Sequence, residues 1–558
     1  MTETKSFDKP WSEYPRPQFR RDSFLNLNGE WNLSVLENGV LSPVGAITVP
    51  YPPESELSNI KRTLEKNEQY VYTKTFSFAP DFIKSKVVLH FGAVDQIAEV
   101  KVNDALAGEH IGGYLPFSFD ITSLIRDGEN TITVTVTDQL DIELAYGKQR
   151  EKRGGMWYTP ISGIWQTVWI ESVCENSIEN VSVKTNNNHV KFTVCGGEDT
   201  KTIIIGDDSY TFSGNEFEID IKDAIMWSPE NPHLYNFELT SGLDRIKSYF
   251  ALRDIEIKKI GDKSFICLNG KPYFFNGLLD QGYYQDGIYT PRSADEYKKD
   301  IMLAKDLGFN MLRKHIKIEP DIFYYYCDKY GMIVFQDMVN SGKYNFFIDT
   351  ALPTIGLKKG ITHRASQYRR KHFEQNSKET IALLHNHPCV CYYTIFNEGW
   401  GQYDADRIYT TLKAIDPSRV WDATSGWFTE KLSDVKSEHV YFKKLKLKSD
   451  GSRPLVLSEF GGYSYKIMEH AFNQNKTYGY RFFDDKEKFL EAIKKLYLDE
   501  VISNIKNGLC VTVLTQISDV EDETNGLITY DREVVKVDTD TMQNLSSQVN
   551  QAFNEQFK

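Results

Sequence analysis

The fold is decided by two short apolar runs, Cys389-Val-Cys-Tyr-Tyr-Thr-Ile-Phe-Asn397-Glu398-Gly399 and Pro454-Leu-Val-Leu-Ser458-Glu459-Phe460-Gly461-Gly462, which each end in a glutamate. An ionised carboxylate inside a buried strand is costly to desolvate, or else its pKa shifts. At the carboxyl end of a barrel strand, the same group instead faces the place where barrel enzymes carry out their chemistry. The two runs therefore predict parallel barrel strands that end in a pair of catalytic carboxylates.

Strand-like runs alternate with amphipathic helices from about residue 260 onward. Helices are predicted over 295–307, where Gly308 is the stop, and over 320–330, which ends at Gly331. The strand-like runs lie at 310–313, 332–337, 390–397, 420–422, 439–441, 455–459 and 508–516. Such alternation over roughly 300 residues predicts a parallel sheet, most simply a (β/α)8 TIM barrel. The most irregular stretch, 339–359, is interpreted as a loop above the barrel.

The first half of the chain has the pattern of two β-domains. Up to about residue 175, alternating runs such as Thr131-Ile-Thr-Val-Thr-Val136 are separated by turn signals such as Asp127-Gly128. From about residue 177 to 254 a second β pattern includes Val190-Lys-Phe-Thr-Val194, and its length and spacing suit a small sandwich. A chain of 558 residues is too long for one ordinary core, so several domains are expected.

Bulk composition excludes several classes of partner. The net charge of −13 argues against a nucleic-acid partner, whose phosphates would be repelled. No apolar run reaches the roughly 18 residues of a membrane span, and the first residues lack the apolar stretch of a secretory signal. The seven scattered cysteines predict reduced thiols and a cytoplasmic protein. Because no cluster of ligands has metal-site spacing, the sequence predicts no metal and no organic cofactor.

Polar side chains recur at the ends of the predicted barrel strands, and such ends meet on one face of a barrel. In chain order they are Arg313, His315, Asp337, Asn397, Glu398, Asp422, His439, Tyr441, Glu459, Gln516 and Asp519. A barrel with a purely structural role has no reason to end so many strands in ionisable or amide groups. Trp400 and Trp427 follow strand ends and are interpreted as walls of a binding site, although a core position for each is the alternative.

Two facing glutamates can perform the chemistry of a retaining glycosidase, which holds two carboxyl groups about 5–5.5 Å apart. One carboxylate attacks the anomeric carbon, and the other acts first as an acid and then as a base. The nucleophile must stay ionised, and a neighbouring Arg313 would favour that state. Asn397 could donate to a sugar hydroxyl, and Tyr441 could donate a hydrogen bond to the nucleophile.

Five motifs carry a family resemblance that covers nearly the whole chain. They are Asn397-Glu398-Gly399-Trp400-Gly401, Ser458-Glu459-Phe460-Gly461, Leu25-Asn-Leu-Asn-Gly-Glu-Trp31, Ser162-Gly-Ile-Trp165 and Trp227-Ser-Pro-Glu-Asn-Pro232. The first two resemble the acid/base motif and the nucleophile motif of glycoside hydrolase family 2. The third resembles the opening strand of that family, the fourth a part of its sugar-binding jelly roll and the fifth the end of its immunoglobulin-like domain. This family is the β-galactosidase, β-glucuronidase and β-mannosidase group.

The resemblance implies a multidomain chain with a β jelly-roll sandwich over 1–176, an immunoglobulin-like β-sandwich over 177–256 and a catalytic (β/α)8 TIM barrel over 257–558. It also implies that Glu398 is the acid/base and Glu459 the nucleophile, with Arg313, Asn397 and Tyr441 in support. The complete predicted substrate-binding set is Arg313, His315, Asp337, Asn397, Trp400, Trp427, His439, Tyr441 and Gln516.

Two stretches depart from the family pattern. The usual Arg-x-Ser-His-Tyr-Pro reads Arg313-Lys-His-Ile-Lys317 here, and the last strand, Val511-Thr-Val-Leu-Thr-Gln516, lacks the expected Trp at its end. No clear Asn-x-Lys signature of the kind that holds a uronic-acid carboxylate is present. Lys314, Lys317 or Arg481 could serve a carboxylate instead.

The sequence therefore predicts a retaining exo-β-glycosidase that hydrolyses terminal, non-reducing β-linked sugars, with β-galactosidase as the leading specificity. β-Glucuronidase and β-glucosidase are the alternatives within this class. Two further alternatives are a non-catalytic carbohydrate-binding protein on a degenerate glycosidase scaffold and an enzyme whose main activity is transglycosylation. The predicted partner is a carbohydrate or glycoside substrate, with no nucleic acid and no membrane, and a homo-oligomer is left open.

Overall fold

Eight parallel strands form the core of the C-terminal half in a computed structural model that describes residues 10–354 and 365–558. They are β1 (Phe275–Asp280), β2 (Met311–Lys314), β3 (Ile333–Asp337), β4 (Val390–Asn397), β5 (Val420–Ser425), β6 (Lys436–Val440), β7 (Leu455–Gly461) and β8 (Leu509–Thr515). The strands are hydrogen-bonded in the order β5-β4-β3-β2-β1-β8-β7-β6. This nearly closed sheet confirms the predicted TIM barrel, and the two glutamate-ending runs are its fourth and seventh strands.

Helices surround most of the barrel. They are α1 (Ala294–Asp306), α2 (Asp321–Tyr330), α3 (Leu352–Thr354), α4 (Gln367–Leu384), α5 (Ala405–Ile415), α6 (Lys486–Lys495), α7 (Ile502–Ile505) and α8 (Thr539–Glu555), with π-helical turns at Phe347–Ala351 and Leu496–Val501. As predicted, α2 is followed by Gly331, whose φ of 72° is a left-handed conformation that glycine adopts without strain. The alternation of strands and helices is incomplete, because the fully described connections 426–435 and 441–454 contain no helix.

The irregular stretch predicted as a loop over 339–359 is described in part. The described part, 339–354, contains the helical turns Phe347–Ala351 and Leu352–Thr354. The rest, from residue 355, lies outside the described residues.

The N-terminal β-domain consists of two main sheets. The four-stranded sheet contains Leu25–Asn26, Val168–Val173, Lys86–Phe91 and Phe117–Asp120, and the six-stranded sheet contains Val40–Val49, Gly29–Glu37, Glu68–Phe76, Asn130–Thr137, Ile97–Val102 and Ala105–Ile111. A short pair joins Val94–Asp95 to Gly163–Ile164. Every second residue of Asn130–Thr137 is buried, so Ile132, Val134 and Val136 contribute to one apolar core with residues of both sheets.

The central β-domain has seven strands in two sheets, which suits an immunoglobulin-like sandwich. One sheet contains Ile178–Asn186, His189–Gly196 and Glu216–Asp220, and the other contains Asp208–Ser213, Thr200–Ile205, Tyr235–Ser241 and Asp244–Phe250. Phe192 is completely buried in the core that the two sheets share. The domain boundaries at 176 and 256 remain predictions.

Smaller elements complete the chain. A three-stranded sheet of Ile255–Ile260, Lys263–Leu268 and Lys271–Pro272 precedes β1, and its Phe265 and Ile266 join the apolar core of the barrel. Tyr463–Tyr465 pairs with Arg481–Phe483, and short 3-10 turns lie at Pro17–Phe19 and Met468–His470. Within the described parts of the chain, no helix has the length and apolar character needed to cross a membrane.

A cluster of apolar side chains, most of them aromatic, joins the N-terminal β-domain to the mouth of the barrel. Its members include Tyr114, Tyr146, Trp157, Tyr158 and Trp165 from the first domain, and Tyr283, Tyr289, Val339, Trp400 and Val520 from the barrel. The Tyr146 backbone N–H donates to the Asn340 carbonyl at 3.1 Å, and its hydroxyl donates to the Gly342 carbonyl at 2.8 Å. The loop between Thr137 and Gly163 is therefore anchored against the barrel mouth, where it can contribute to a site.

Candidate active site

Glu459, near the end of β7, is held by a cation and a hydroxyl. Its Oε1 lies 3.0 Å from Arg313 Nη1, and the Tyr441 hydroxyl donates to its Oε2. Burial raises the pKa of the Glu459 carboxyl, but the charges of His439 and Arg313 and the hydrogen bond from Tyr441 lower it below its ordinary value. The carboxylate is therefore held in its ionised form, as a nucleophile requires.

Arg313, on β2, connects the ends of four barrel strands. Its Nε donates to Asp337 Oδ1 at 3.0 Å, its Nη1 also donates to the Ser458 carbonyl at 2.9 Å, and its Nη2 donates to Asn397 Oδ1 at 2.9 Å. The side chain is almost completely buried, so the fixed fork of the guanidinium sets the relative positions of these groups. The interpretation of Arg313 as a support for the nucleophile fits these contacts.

His315 continues the network at the end of β2. Its Nδ1 lies 2.7 Å from Asp337 Oδ2, so Asp337 contacts both Arg313 and His315. Burial raises the pKa of Asp337, and the neighbouring Arg313 and His315 lower it below its usual range. Asp337 is thus an ionised orienting group for the two side chains.

Glu398 follows β4 in an unusual backbone conformation. Its φ is 55° and that of Gly399 is 74°, so the chain turns sharply directly after the strand. A non-glycine residue in the left-handed region is uncommon, and strained residues of this kind cluster at functional sites. The Glu398 backbone N–H donates to the Ser425 carbonyl at 2.9 Å, which fixes this turn against β5.

His439 lies between the two glutamates. Its Nδ1 is 2.8 Å from Glu398 Oε1 and 3.6 Å from Glu459 Oε2, while its Nε2 is 3.0 Å from Ser425 Oγ. One donor atom each of Glu398, His439 and Glu459 lies within 4.8 Å of the others. The two carboxylates therefore lie close together, and the His439 imidazole is near both of them.

Two groups of side chains among the described residues have donors that could surround a metal ion. One is the Glu398, His439 and Glu459 group, and the other is Asp328, His387 and Cys389. In the second group His387 Nδ1 lies 2.6 Å from Asp328 Oδ2, and the Cys389 backbone N–H donates to Asp328 Oδ1 at 2.8 Å. Burial raises the pKa of the Cys389 thiol, which disfavours the thiolate that binds metals. The expectation that no metal is required stays a prediction.

The remaining predicted site residues have different surroundings. Trp427 Nε1 donates to the Glu398 carbonyl at 2.9 Å, so this ring adjoins the two glutamates.

Trp400 is buried at the contact between the N-terminal β-domain and the barrel. Its Nε1 donates to the Gly342 carbonyl at 2.9 Å, and its ring centroid lies 4.9 Å from that of Trp157. Gln516 is completely buried and donates to Asn525 Oδ1 at 2.8 Å. Neither Trp400 nor Gln516 joins the network around the glutamates, and their sugar contacts remain predictions.

Two predicted strand-end acids have structural partners. Asp422 Oδ2 accepts from the Tyr392 hydroxyl at 3.0 Å, and Asp519 Oδ1 lies 2.6 Å from Lys536 Nζ.

The three cations considered for a substrate carboxylate have other partners or another location. Lys314 Nζ lies 2.6 Å from Asp280 and 2.8 Å from Glu319. Lys317 Nζ lies 3.0 Å from Glu319 and donates to two backbone carbonyls. Arg481 is exposed and packs on the rings of Tyr463 and Phe483. The structure therefore gives no support to a substrate role for these three side chains.

Several residues near the pair were missed by sequence reasoning. Tyr480 stacks on Tyr441 at 3.8 Å between ring centroids. Lys148, from the N-terminal β-domain, is near enough to His315 for its charge to lower the pKa of that ring, and its Nζ lies 5.5 Å from the centroid of the Trp157 ring. One feature of the sequence could have indicated Lys148 and Trp157. The segment between Thr137 and Gly163 has no regular strand pattern, and loops of that length within compact domains commonly carry function.

Three sequence profiles of one family match almost the whole chain. "Glycosyl hydrolases family 2, sugar binding domain" matches residues 23–172, "Glycosyl hydrolases family 2" matches 168–253, and "Glycosyl hydrolases family 2, TIM barrel domain" matches 258–534. The chain belongs to glycoside hydrolase family 2, as the motifs indicated.

Curated relatives differ in the sugar for which they are named. A β-galactosidase of Thermoanaerobacter pseudethanolicus is 25% identical over 457 residues, which cover 73% of this chain and 58% of that protein. A putative β-glucuronidase of Formosa agariphila is 26% identical over 278 residues, which cover 45% of this chain and 32% of that protein. The chain thus spans little more than half of the first relative and about a third of the second.

Solved structures share the fold along their whole length. A β-galacturonidase of Eisenbergiella tayi bound to glycerol superposes with a TM-score of 0.72 and 19% identity, covering 96% of this chain and 98% of that one. A β-D-glucuronidase of Dictyoglomus thermophilum superposes with a TM-score of 0.75 and 19% identity at the same coverage. At this identity the likeness concerns the fold alone.

Proposed function

We propose that the protein is a retaining exo-β-glycosidase, with Glu459 as the nucleophile and Glu398 as the acid/base. One observation carries the proposal: the two glutamates place carboxylate oxygens within 4.8 Å of each other in unlike surroundings. Glu459 has a guanidinium and a phenol as partners, whereas Glu398 contacts the His439 imidazole. Family membership supports the same chemistry.

The first step forms a covalent glycosyl-enzyme. A Glu459 carboxylate oxygen attacks the anomeric carbon, the bond from that carbon to the aglycone oxygen breaks, and the Glu398 proton passes to that oxygen. Arg313 and Tyr441 orient the attacking carboxylate. Because Asn397 Oδ1 accepts from Arg313, the Asn397 amide presents its N–H groups, which suits donation to a sugar hydroxyl.

The second step releases the sugar. Glu398, now ionised, accepts a proton from water while the water oxygen attacks the anomeric carbon and the Glu459 carboxylate leaves. Two displacements at the same carbon retain its configuration. No residue in this scheme needs to change place between the steps, because one acid/base serves the leaving group and then the water on the same face.

Two classes of sugar are candidates for the glycone. A neutral β-galactoside is the leading prediction from sequence, and a relative named as a β-galactosidase supports it. A β-uronide is the second candidate, supported by the relatives and fold neighbours named for glucuronate or galacturonate.

The test is the stereochemistry of the first product. The full chain is incubated with nitrophenyl β-glycosides of galactose, glucose, mannose, glucuronic acid and galacturonic acid, and proton NMR follows the anomer that appears before mutarotation. We expect the β-anomer to form first from every sugar that is cleaved. Initial formation of the α-anomer would show inversion and would contradict the assignment of Glu459 as a nucleophile.

A further inference from the structure

Lys148 is a buried cation at the mouth of the barrel. The residue as a whole is 8% exposed, and its Nζ lies 5.5 Å from the centroid of the Trp157 ring. Within residues 10–354 and 365–558, no carboxylate oxygen lies within 4.0 Å of this ammonium, and it donates no hydrogen bond to a protein acceptor. Because residue 148 is buried and its ammonium has no anionic partner, a ligand carboxylate placed beside it would form an ion pair that the surrounding protein partly shields from water.

The other buried lysines among the described residues differ from Lys148, which has no hydrogen-bond or ion-pair partner there. Each of the four has its own acceptors: Lys314 has Asp280 and Glu319, Lys317 has Glu319 and two carbonyls, Lys536 has Asp519, and Lys201 has the carbonyls of Glu198 and Gly214. Each of these four ammonium groups therefore has hydrogen-bond acceptors within the protein. Lys148 is the exception, and it is the one that lies beside the candidate active site.

The backbone of residue 148 is fixed against the barrel. Tyr146 is anchored to the loop after β3 through Asn340 and Gly342. Gly147 approaches the loop after β2 so closely that an added Cβ would lie 3.0 Å from the Ile316 carbonyl oxygen, and its φ of 62° suits glycine. Lys148 is therefore presented between the two loops that follow His315 and Asp337.

The groups around Lys148 belong to the site or border it. Burial lowers the pKa of His315, and the nearby Lys148 charge lowers it further. Burial raises the pKa of the Glu523 carboxyl, while hydrogen bonds from Tyr158 and Asn525 and the Lys148 charge oppose that rise. The Tyr158 hydroxyl and Asn525 Nδ2 donate to the two oxygens of Glu523, and within the described residues this carboxylate forms no ion pair with Lys148.

We propose that Lys148 binds the carboxylate of a hexuronic-acid glycone, so that the preferred substrate is a β-uronide rather than a neutral β-glycoside. This inference rests on the proposed glycosidase function. A uronide differs from its neutral counterpart in carrying a carboxylate in place of a hydroxymethyl group. A neutral sugar would leave the ammonium unpaired, and a site built to pair with a polar group of its substrate discriminates against analogues that lack that group.

The experiment compares paired substrates on the full chain. We measure kcat/KM for nitrophenyl β-galacturonide against β-galactoside, and for β-glucuronide against β-glucoside, with wild type, Lys148→Met and the control Lys152→Met. Methionine keeps the length and apolar contacts of the lysine stem and removes its charge. Lys152 is an exposed lysine on the same loop, so its replacement tests for a general effect of lost positive charge.

For the wild type, we expect at least one uronide to be preferred over its neutral partner by about 100-fold or more. Lys148→Met should lower that ratio by about 100-fold, mainly through loss of activity on the uronide, while Lys152→Met leaves the ratio unchanged. Thermal unfolding checks that each variant is folded. Should Lys148→Met not fold, inhibition of the wild type decides instead: free uronates are expected to inhibit at concentrations at least about tenfold lower than the neutral sugars.

Several results would overturn the inference. They are equal activity of the wild type on uronide and neutral partner, an equal loss on both substrates in folded Lys148→Met, and equal inhibition by uronates and neutral sugars. All three leave the proposed glycosidase function intact. Failure of that function is distinguishable, because the wild type would then cleave neither these four glycosides nor the β-mannoside.

Discussion

Glu459 and Glu398 lie close together but differ in what surrounds them. Glu459 has a side chain that is 6% exposed and is held by Arg313 and Tyr441. The Glu398 side chain is 16% exposed, and its hydrogen bond in the described part of the chain is to His439. Charge-assisted donors favour an ionised carboxylate, so the difference between the two surroundings supports the proposal that Glu459 is the glutamate that attacks.

The strongest test of this comparison removes the better-held carboxylate. Glu459→Gln is expected to lower kcat/KM by at least about 10⁴-fold on every glycoside that the wild type cleaves, because no other group can form the covalent intermediate. Rates with nitrophenyl glycosides measure the effect. The exposed Glu469→Gln is the matched control and should retain wild-type activity. A residual rate within about tenfold of wild type would remove Glu459 from the mechanism.

Replacing the other carboxylate should give a loss that depends on the leaving group. Glu398→Gln is expected to slow the first step by about 10²–10⁴-fold for alkyl or sugar leaving groups, which need a proton. Dinitrophenol leaves without one, so a burst of product followed by slow turnover is expected with that aglycone. Stopped-flow absorbance resolves the two phases. Equal losses for good and poor leaving groups would show that Glu398 is not the acid.

Tyr441→Phe removes a hydrogen bond to Glu459 without changing the carboxylate itself. Loss of one hydrogen bond to a charged group should lower kcat/KM by about 10–100-fold. The pKa of Glu459 should rise toward its ordinary value, because Tyr441 is one of the groups that lower it. The nucleophile acts when ionised, so activity is lost as the pH falls through this pKa and the acidic limb moves to higher pH in the variant.

The pH profile of kcat/KM therefore separates a local role of Tyr441 from a general loss. Tyr480→Phe keeps the ring that stacks on Tyr441 and should leave the acidic limb in place. An unshifted limb in Tyr441→Phe would contradict the interpretation that this hydroxyl stabilises the Glu459 carboxylate.

His439 tests how far the two carboxylates act as one unit. His439→Gln is expected to reduce kcat/KM by about tenfold with good and poor leaving groups alike, because the ring adjoins both glutamates. Ser425→Ala removes the partner of His439 Nε2 and should give a smaller loss in the same direction. A loss confined to poor leaving groups would mean that His439 serves Glu398 alone.

Much of the barrel and its centre could be predicted from the sequence. The positions of Glu398 and Glu459 followed from apolar runs that end in an acid, and Arg313, Asp337 and Asn397 followed from the rule that parallel strand ends converge. The link through His439 could not be predicted in the same way. A register irregularity between Glu438 and His439 pairs His439 with Glu459 across β6 and β7, and strand patterns do not reveal such a shift.

Contacts between distant parts of the chain were also beyond sequence reasoning. Lys148 lies in a loop of the N-terminal β-domain, and its proximity to the barrel depends on how Tyr146 and Gly147 pack against the loops after β2 and β3. Lys314 and Lys317 were reasonable candidates for a substrate carboxylate because they follow Arg313. Their partners Asp280 and Glu319 become neighbours through folding, so a basic stretch in the sequence did not reveal a free cation.

Direct capture of the glycosyl-enzyme tests the central claim most plainly. A substrate whose sugar carries fluorine beside the anomeric carbon slows the second displacement, so that the intermediate accumulates, and mass spectrometry of the digested protein then locates the sugar. The predicted result is one sugar residue attached to the Glu459 side chain, in wild type and in Glu469→Gln but not in Glu459→Gln. A sugar attached to Glu398 or to another residue would contradict the assignment of Glu459 as the nucleophile.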